Sequence, residues 1–274
     1  MIYTINGMDV FINVSGPIVV GNDLCLIDSD DNLSENCSWK ELGFSVIKML
    51  SREDLALLVE GISDLVLKGL IYAGCNVKSE EFALENYHLY CTDQDTHLKV
   101  VAFLKSMGSL HNLPISHTIL DELISNHCGV LVSSQISSQV ASGRFFVRLV
   151  RPFPLKDNNP PHKDVWLDRL RNAINLYLPL AGSDENSSLS LVPGSHLWQE
   201  SEIPRTKVGA VVDGVKYSVP AAVIEDNVLD MIRPKVEPGE AMLFSPYLIH
   251  GGAVNFNEDK TRVSLEMRFW KCSS

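Results

Sequence analysis

Hydrophobic positions divide the chain into two textures. Behind Ser51, residues Leu55, Leu58, Val59, Ile62, Leu65, Val66 and Leu70 recur at i, i+3, i+4 and i+7, one apolar face of a helix. Ser51 predicts the N-cap, with Asp54 three residues on. Further helices are expected around residues 79–87, 96–107 and 115–127. From Gly129 onward the helical period gives way to short β-branched and aromatic runs at 130–132, 145–150, 173–178, 188–192, 241–244 and 263–269. Pro, Gly, Asn and Asp punctuate the gaps. So many strands in about 145 residues, without a helix of crossover length between them, predict an antiparallel double-sheet barrel or jelly roll with the helices outside it. Before residue 40, runs at 9–14 and 17–20 read as short strands, 28–38 as an acidic surface connection, and 43–47 adds a strand.

Composition narrows the class. With 45% hydrophobic and 21% charged residues, a 274-residue chain has ample core and is not disordered. Barrel folds often use this length once, so a single domain over 1–274 is expected: a strand and turn extension (1–38), a mostly helical part (39–128) and the jelly-roll core (129–274). Basic residues number 23 against 34 acidic, a net charge of −11, which argues against broad contact with nucleic acid. No uncharged apolar run reaches the roughly 18–20 residues of a membrane span. The N-terminus lacks the pattern of a signal peptide. Six scattered cysteines without Cys-x-x-Cys fit a reducing, cytoplasmic setting.

Three constellations carry candidate chemistry. In His162-Lys163-Asp164 an extended backbone puts the imidazole and the carboxylate on one side and Lys163 on the other. The apolar run at 241–244 leads to His250-Gly251-Gly252, where glycines allow close backbone approach. Twelve residues later, Arg262-Val263-Ser264 presents a guanidinium and a hydroxyl on one face, suited to a carboxylate; Arg268 shares that face. Each alone also reads as surface or core polarity: a surface pair, a core histidine bonded to a carbonyl, an arginine paired with Glu266. Together, two histidines and one carboxylate are the donor set of a facial triad on non-haem Fe(II).

At this point the sequence resembles the phytanoyl-CoA dioxygenase-like branch of the Fe(II)/2-oxoglutarate-dependent oxygenases, over about residues 40–270. Residues 41–47, the His-Lys-Asp triplet, 190–196 with Pro193-Gly194-Ser195-His196, 238–244, and His250-Gly251-Gly252 with Asn255 and Arg262 carry it. The resemblance implies a double-stranded β-helix (jelly roll, cupin-like) core with an N-terminal helical layer. It makes His162, Asp164 and His250 the catalytic iron ligands, and gives the distal carboxylate of 2-oxoglutarate to Arg262 with Ser264. Asn175 falls where relatives face that co-substrate, while His196 belongs to a structural turn. Lys163 departs from the glutamine often found inside the triplet.

The implied activity is a dioxygenase using Fe(II), 2-oxoglutarate and O2 to hydroxylate an unactivated C–H bond of a small molecule, releasing succinate and CO2. A carboxylate at Asp164, where related halogenases keep a small residue, points to hydroxylation over halogenation; desaturation, epimerisation and ring closure draw on the same chemistry. A non-redox cupin-like isomerase, which would not need Arg262, and an inactive binding module are the competing readings. Arg148, Arg151 and Tyr177 stand where a substrate pocket could draw on them.

Overall fold

A computed structural model describes residues 1–21, 37–109, 112–135, 145–155, 157–167, 170–171, 173–224 and 228–272. Residues 28–36 of the expected acidic connection, Cys25 and His111 lie outside the described residues.

The first long helix starts where its cap predicts, and the helices expected from 96 and 115 start at Gln94 and His117. In α1 (Arg52–Tyr72) Ser51 Oγ accepts the Asp54 N–H at 3.0 Å, and Leu58, Ile62, Val66 and Leu70 are its buried stripe. In α3 (Gln94–Met107) Asp93 accepts from Thr96 N at 2.8 Å. α4 (His117–Cys128) is capped by Ser116 and ends at Gly129, whose φ of +66° few other residues adopt without cost. The helix expected at 79–87 is instead two single 3₁₀ turns, at Ser79–Glu81 and Leu84–Asn86, followed by the short α2 (Tyr87–Tyr90).

Those helices cover one face of a six-stranded sheet. Its order is β5 (Phe44–Lys48), β13 (Glu240–Phe244), β8 (Ala173–Ala181), β14 (Arg262–Lys271), β6 (Val132–Ser133), with β7 (Phe146–Val150) also pairing with β14; all pairs are antiparallel. Side chains alternate along the strands, apart from a shift of register beside Val263 and Ser264. Ile174, Leu176, Leu178, Ala241, Leu243, Val263, Leu265, Met267 and Phe269 join the helices in the largest core cluster. Tyr177, Met242 and Phe244 belong to the cluster on the opposite, inner face. This double burial is why β8 reads as a nearly continuous apolar run.

Among the described residues there are three smaller sheets. β1 (Ile2–Ile5) lies parallel to β12 (Leu229–Met231) and antiparallel to β2 (Met8–Phe11). β10 (Ala210–Val212) pairs with β3 (Val14–Ser15) and β11 (Val215–Tyr217), and β4 (Ile18–Val19) pairs with β9 (Arg205–Thr206). β1, β3 and β4 therefore pair with segments that lie far along the chain, as Tyr3 with Leu229, Ser15 with Val211 and Ile18 with Thr206. Tyr3 and Ile5 pack with Leu229, Met231 and Ile249, and Tyr3 Oη donates to Gly252 O at 2.9 Å. The run at 188–192 is not a strand; Ser188 lies in a bend, and single bridges join Leu191 to Ile232 and His250. No helix among the described residues is long and apolar enough to cross a membrane.

Arg151 does not serve the pocket. Fully buried, it forks onto Asp157 (2.7 and 2.8 Å) and donates to the carbonyls of Cys91 and Asp93, tying β7 to the α2–α3 connection. His97 Nε2 faces Asp157 Oδ1 at 3.4 Å, and burial pushes its pKa down to about 4. The folded protein therefore binds one proton fewer than the unfolded chain between pH 6.5 and 4, so stability is lost as pH falls through that window, by about 3 kcal/mol in all. Denaturant unfolding of His97→Gln should show a shallower acid slope there; an unchanged slope would refute this role.

Candidate active site

The two histidines meet through the backbone. His162 and His250 form an isolated antiparallel bridge, exchanging N–H···O bonds of 2.9 and 3.0 Å, and their rings lie 4.4 Å apart. Lys163 is extended, and Asp164 opens a 3₁₀ turn, Asp164–Trp166. His162 and Asp164 thus share a side: His162 Nε2 is 3.3 Å from Asp164 Oδ1, and His250 Nε2 is 3.8 Å from the same oxygen. All three side chains are buried, and one ligand atom from each lies within 4.8 Å of the others.

The protonation pattern suits a cation. His162 Nδ1 contacts Pro160 O at 2.7 Å and His250 Nδ1 contacts Leu248 O at 3.0 Å. A carbonyl can only accept, so each Nδ1 carries the proton and each Nε2 keeps its lone pair. Burial pushes His250 down to about 4, leaving it neutral near pH 7. Burial would push the Asp164 carboxyl up, but the Arg268 guanidinium outweighs it and holds the carboxyl well below the usual range. Arg268 donates to Asp164 Oδ2 from Nε (3.2 Å) and Nη2 (2.8 Å), leaving Oδ1 toward the imidazoles. Two lone pairs and an anionic oxygen converge with no donor between them, an arrangement a divalent cation satisfies.

Glycines make this approach possible. A Cβ on Gly251, at φ +97°, would stand 2.7 Å from Pro160 O and 3.1 Å from His162 Nδ1. Gly251→Ala is expected to push these two apart, costing about 1–3 kcal/mol of stability. Fe(II) affinity should fall with it, as read by metal titration; an unchanged affinity would show that the bond between Pro160 and His162 does not orient the ligand.

Lys163 points away from the histidines into a buried pair. Its Nζ lies 3.0 Å from Glu200 Oε1, whose other oxygen accepts from Trp166 Nε1 and Arg205 Nη1. Nothing in the sequence pattern marks Glu200 as buried. His196 is likewise structural, its Nε2 bonded to Lys40 O at 2.6 Å.

Beside the histidines lies a cavity of about 510 Å³, counting its open mouth. Asn175, Tyr177, Phe244, Arg262 and Arg268 line it, and so does Arg148, which forks onto Glu266 at 3.1 and 2.9 Å. Asn175 is 3% exposed and both its amide atoms lack hydrogen-bond partners. Arg262 spends one bond on Ser187 O (3.1 Å), while its Nε is unpartnered and buried. Burial lowers its pKa from the ordinary arginine value, yet an arginine remains charged. An unneutralised guanidinium and an orphaned amide facing one cavity suit a bound carboxylate. Ser264 Oγ is buried and unpartnered, but Ser264 is not part of the cavity wall. The pairing of Arg262 with Glu266, one reading of the sequence, is not formed: Glu266 belongs to Arg148 and Arg268 to Asp164.

Comparison with solved structures returns a crystal structure of EctD from S. alaskensis with 2-oxoglutarate and 5-hydroxyectoine (14% identity, 92% of this chain and 78% of that chain, TM-score 0.49). Another is AviO1 from Streptomyces viridochromogenes Tue57 (16% identity, 90% and 96%, TM-score 0.46). A curated relative, the dioxygenase aneA of Aspergillus aculeatus, is 26% identical over 153 residues, 55% of this chain and 44% of the relative. This chain thus spans less than half the length of that protein. The family model for phytanoyl-CoA dioxygenase matches residues 93–264, more than half of the chain and a span that contains His162, Asp164, Asn175, His250, Arg262 and Ser264. On that match, over a jelly-roll fold with a buried His-Asp-His cluster, the chain belongs to the phytanoyl-CoA dioxygenase family of Fe(II)/2-oxoglutarate-dependent oxygenases.

Proposed function

We propose that the protein is a 2-oxoglutarate-dependent dioxygenase that hydroxylates a C–H bond of a small molecule, with succinate and CO2 as co-products. The convergence of His162, Asp164 and His250 on one point carries this reading. His162 and His250 would give Nε2 and Asp164 Oδ1 to Fe(II), one face of its coordination sphere. Arg262 would hold the distal carboxylate of 2-oxoglutarate, Asn175 would offer its amide beside it, and Ser264 would support Arg262 from the same strand face. When bound, Fe(II) and 2-oxoglutarate supply the oxygen activation and the oxidative decarboxylation.

The chain's own contribution is placement. Pro160 O and Leu248 O keep both Nε2 lone pairs available, and Arg268 keeps Asp164 ionised. Phe244, packed edge-on to His250 at 4.8 Å, closes one side of the cavity with apolar surface. Asp164 fills the third protein position, which favours hydroxyl over halide delivery. Adding Fe(II) and then 2-oxoglutarate without oxygen should produce a charge-transfer absorption, and admitting oxygen with substrate should give succinate and a hydroxylated product. Substrate conversion that needs neither 2-oxoglutarate nor oxygen would favour the non-redox isomerase instead.

A further inference from the structure

A second concavity adjoins the cavity. It measures about 460 Å³, counting the space open to solvent, and Phe11, Phe153, Leu155, Val212, Tyr217 and Val254 are among the residues of its wall. Its carboxylate, Asp213, is already engaged, accepting the Asn13 N–H at 2.9 Å. Asn158 lines both spaces, and the chain on either side of their boundary is shared: Asn159 and Gly251 face the cavity, Pro160 and Val254 the cleft. Phe11 and Phe153 are 68% and 60% exposed, although they come from the N-terminal strand β2 and from the segment after β7.

Two exposed phenylalanines brought together from distant parts of the chain, at the rim of a concave apolar space, fit a ligand better than scattered surface residues do. The neighbouring cavity differs in chemistry, with Arg148, Glu266 and Asn159 in its wall. We infer that the cleft is a second substrate subsite, taking the apolar, ring-bearing part of a small molecule whose polar end lies beside His162 and His250. This rests on the oxygenase reading and narrows it: the substrate is amphipathic, and the N-terminal strands help to select it. Aromatic side chains hold a ring by area and by edge or face contact.

The test uses the full chain and a neutral apolar fluorophore, N-phenyl-1-naphthylamine. Wild-type protein should bind it saturably at one site. Phe11→Asp and Phe153→Asp should each weaken binding about tenfold or more, since either removes apolar contact and adds a charge. Leu131→Asp, at a side chain 72% exposed elsewhere, should leave binding unchanged. Because all three positions are exposed, thermal unfolding should show intact folds. Among compounds that stimulate succinate release, Phe11→Asp should raise the apparent KM about tenfold with little effect on kcat. Non-saturable binding, equal affinity in all four proteins, or self-association abolished by Phe11→Asp without probe binding would overturn the subsite. The charge-transfer absorption with Fe(II) and 2-oxoglutarate is read on the same samples. Its presence without probe binding overturns the cleft alone, whereas probe binding without it overturns the oxygenase reading alone.

Discussion

Asp164→Ala is expected to abolish succinate formation and to lower Fe(II) affinity by more than about 100-fold, because even loss of a partner behind a ligand costs about 10- to 100-fold. The substitution removes the anionic oxygen that both Nε2 atoms face at 3.3 and 3.8 Å. It also strips Arg268, 18% exposed, of its partner, so some stability is lost with it. Asp164→Asn separates the two effects: the amide oxygen still accepts from Arg268 while the negative charge is gone. Asn should therefore restore thermal stability without restoring turnover. His250→Ala should match Ala at 164 in metal content and activity. Normal succinate release by Asp164→Ala or His250→Ala would remove the ligand set, whatever the family of the chain.

The second large effect belongs to Arg262. Loss of a charge-assisted, two-pronged bond to the distal carboxylate should cost about 1.5–3 kcal/mol. The 2-oxoglutarate requirement should then rise by roughly 10- to 150-fold while Fe(II) content stays unchanged. Arg262→Lys should fall between, because an ammonium keeps the charge without the fork. Steady-state titration of 2-oxoglutarate reads this directly, and an unchanged requirement refutes the assignment. Arg268 is not the ready substitute that its shared strand face suggests. Its guanidinium is committed to Asp164 Oδ2, so Arg268→Gln should act on metal affinity instead.

Local rules made much of this legible. Ser51 caps the helix that its position announces, because capping involves only residues a few steps apart; the caps Asp93 and Ser116 set starts within two residues of those the apolar pattern places at 96 and 115. The period of two in β14 separates Val263, Leu265, Met267 and Phe269, in the core under the helices, from Arg262, Glu266 and Arg268 on the cavity side. The same rule puts His162 and Asp164 on one side, with Lys163 on the other. The run at 188–192 shows where local rules stop. Its composition suits a strand, yet only Leu191 finds bridge partners, because strand formation needs a neighbour in register and composition does not provide one.

Partner choice among the charged residues was not legible. Arg148, Arg151, Arg262 and Arg268 are alike as letters, and their partners are Glu266, Asp157, the Ser187 carbonyl and Asp164. Three of these four contacts join residues 75 or more positions apart. Nor did anything local mark Glu200 as the buried counter-charge of Lys163, or the N-terminal strands as partners of β10 and β12.

Unaided, the order of residues determined the helix starts, the alternating faces of the long strands and the donor types available for a metal. Those follow from geometry within a few residues. Only the folded molecule decided that His162 bridges to His250, that Arg268 rather than Arg262 clasps Asp164, and that Phe11 and Phe153 meet across one cleft. Such contacts depend on how distant segments close on one another, a cooperative outcome of burying the whole apolar surface at once.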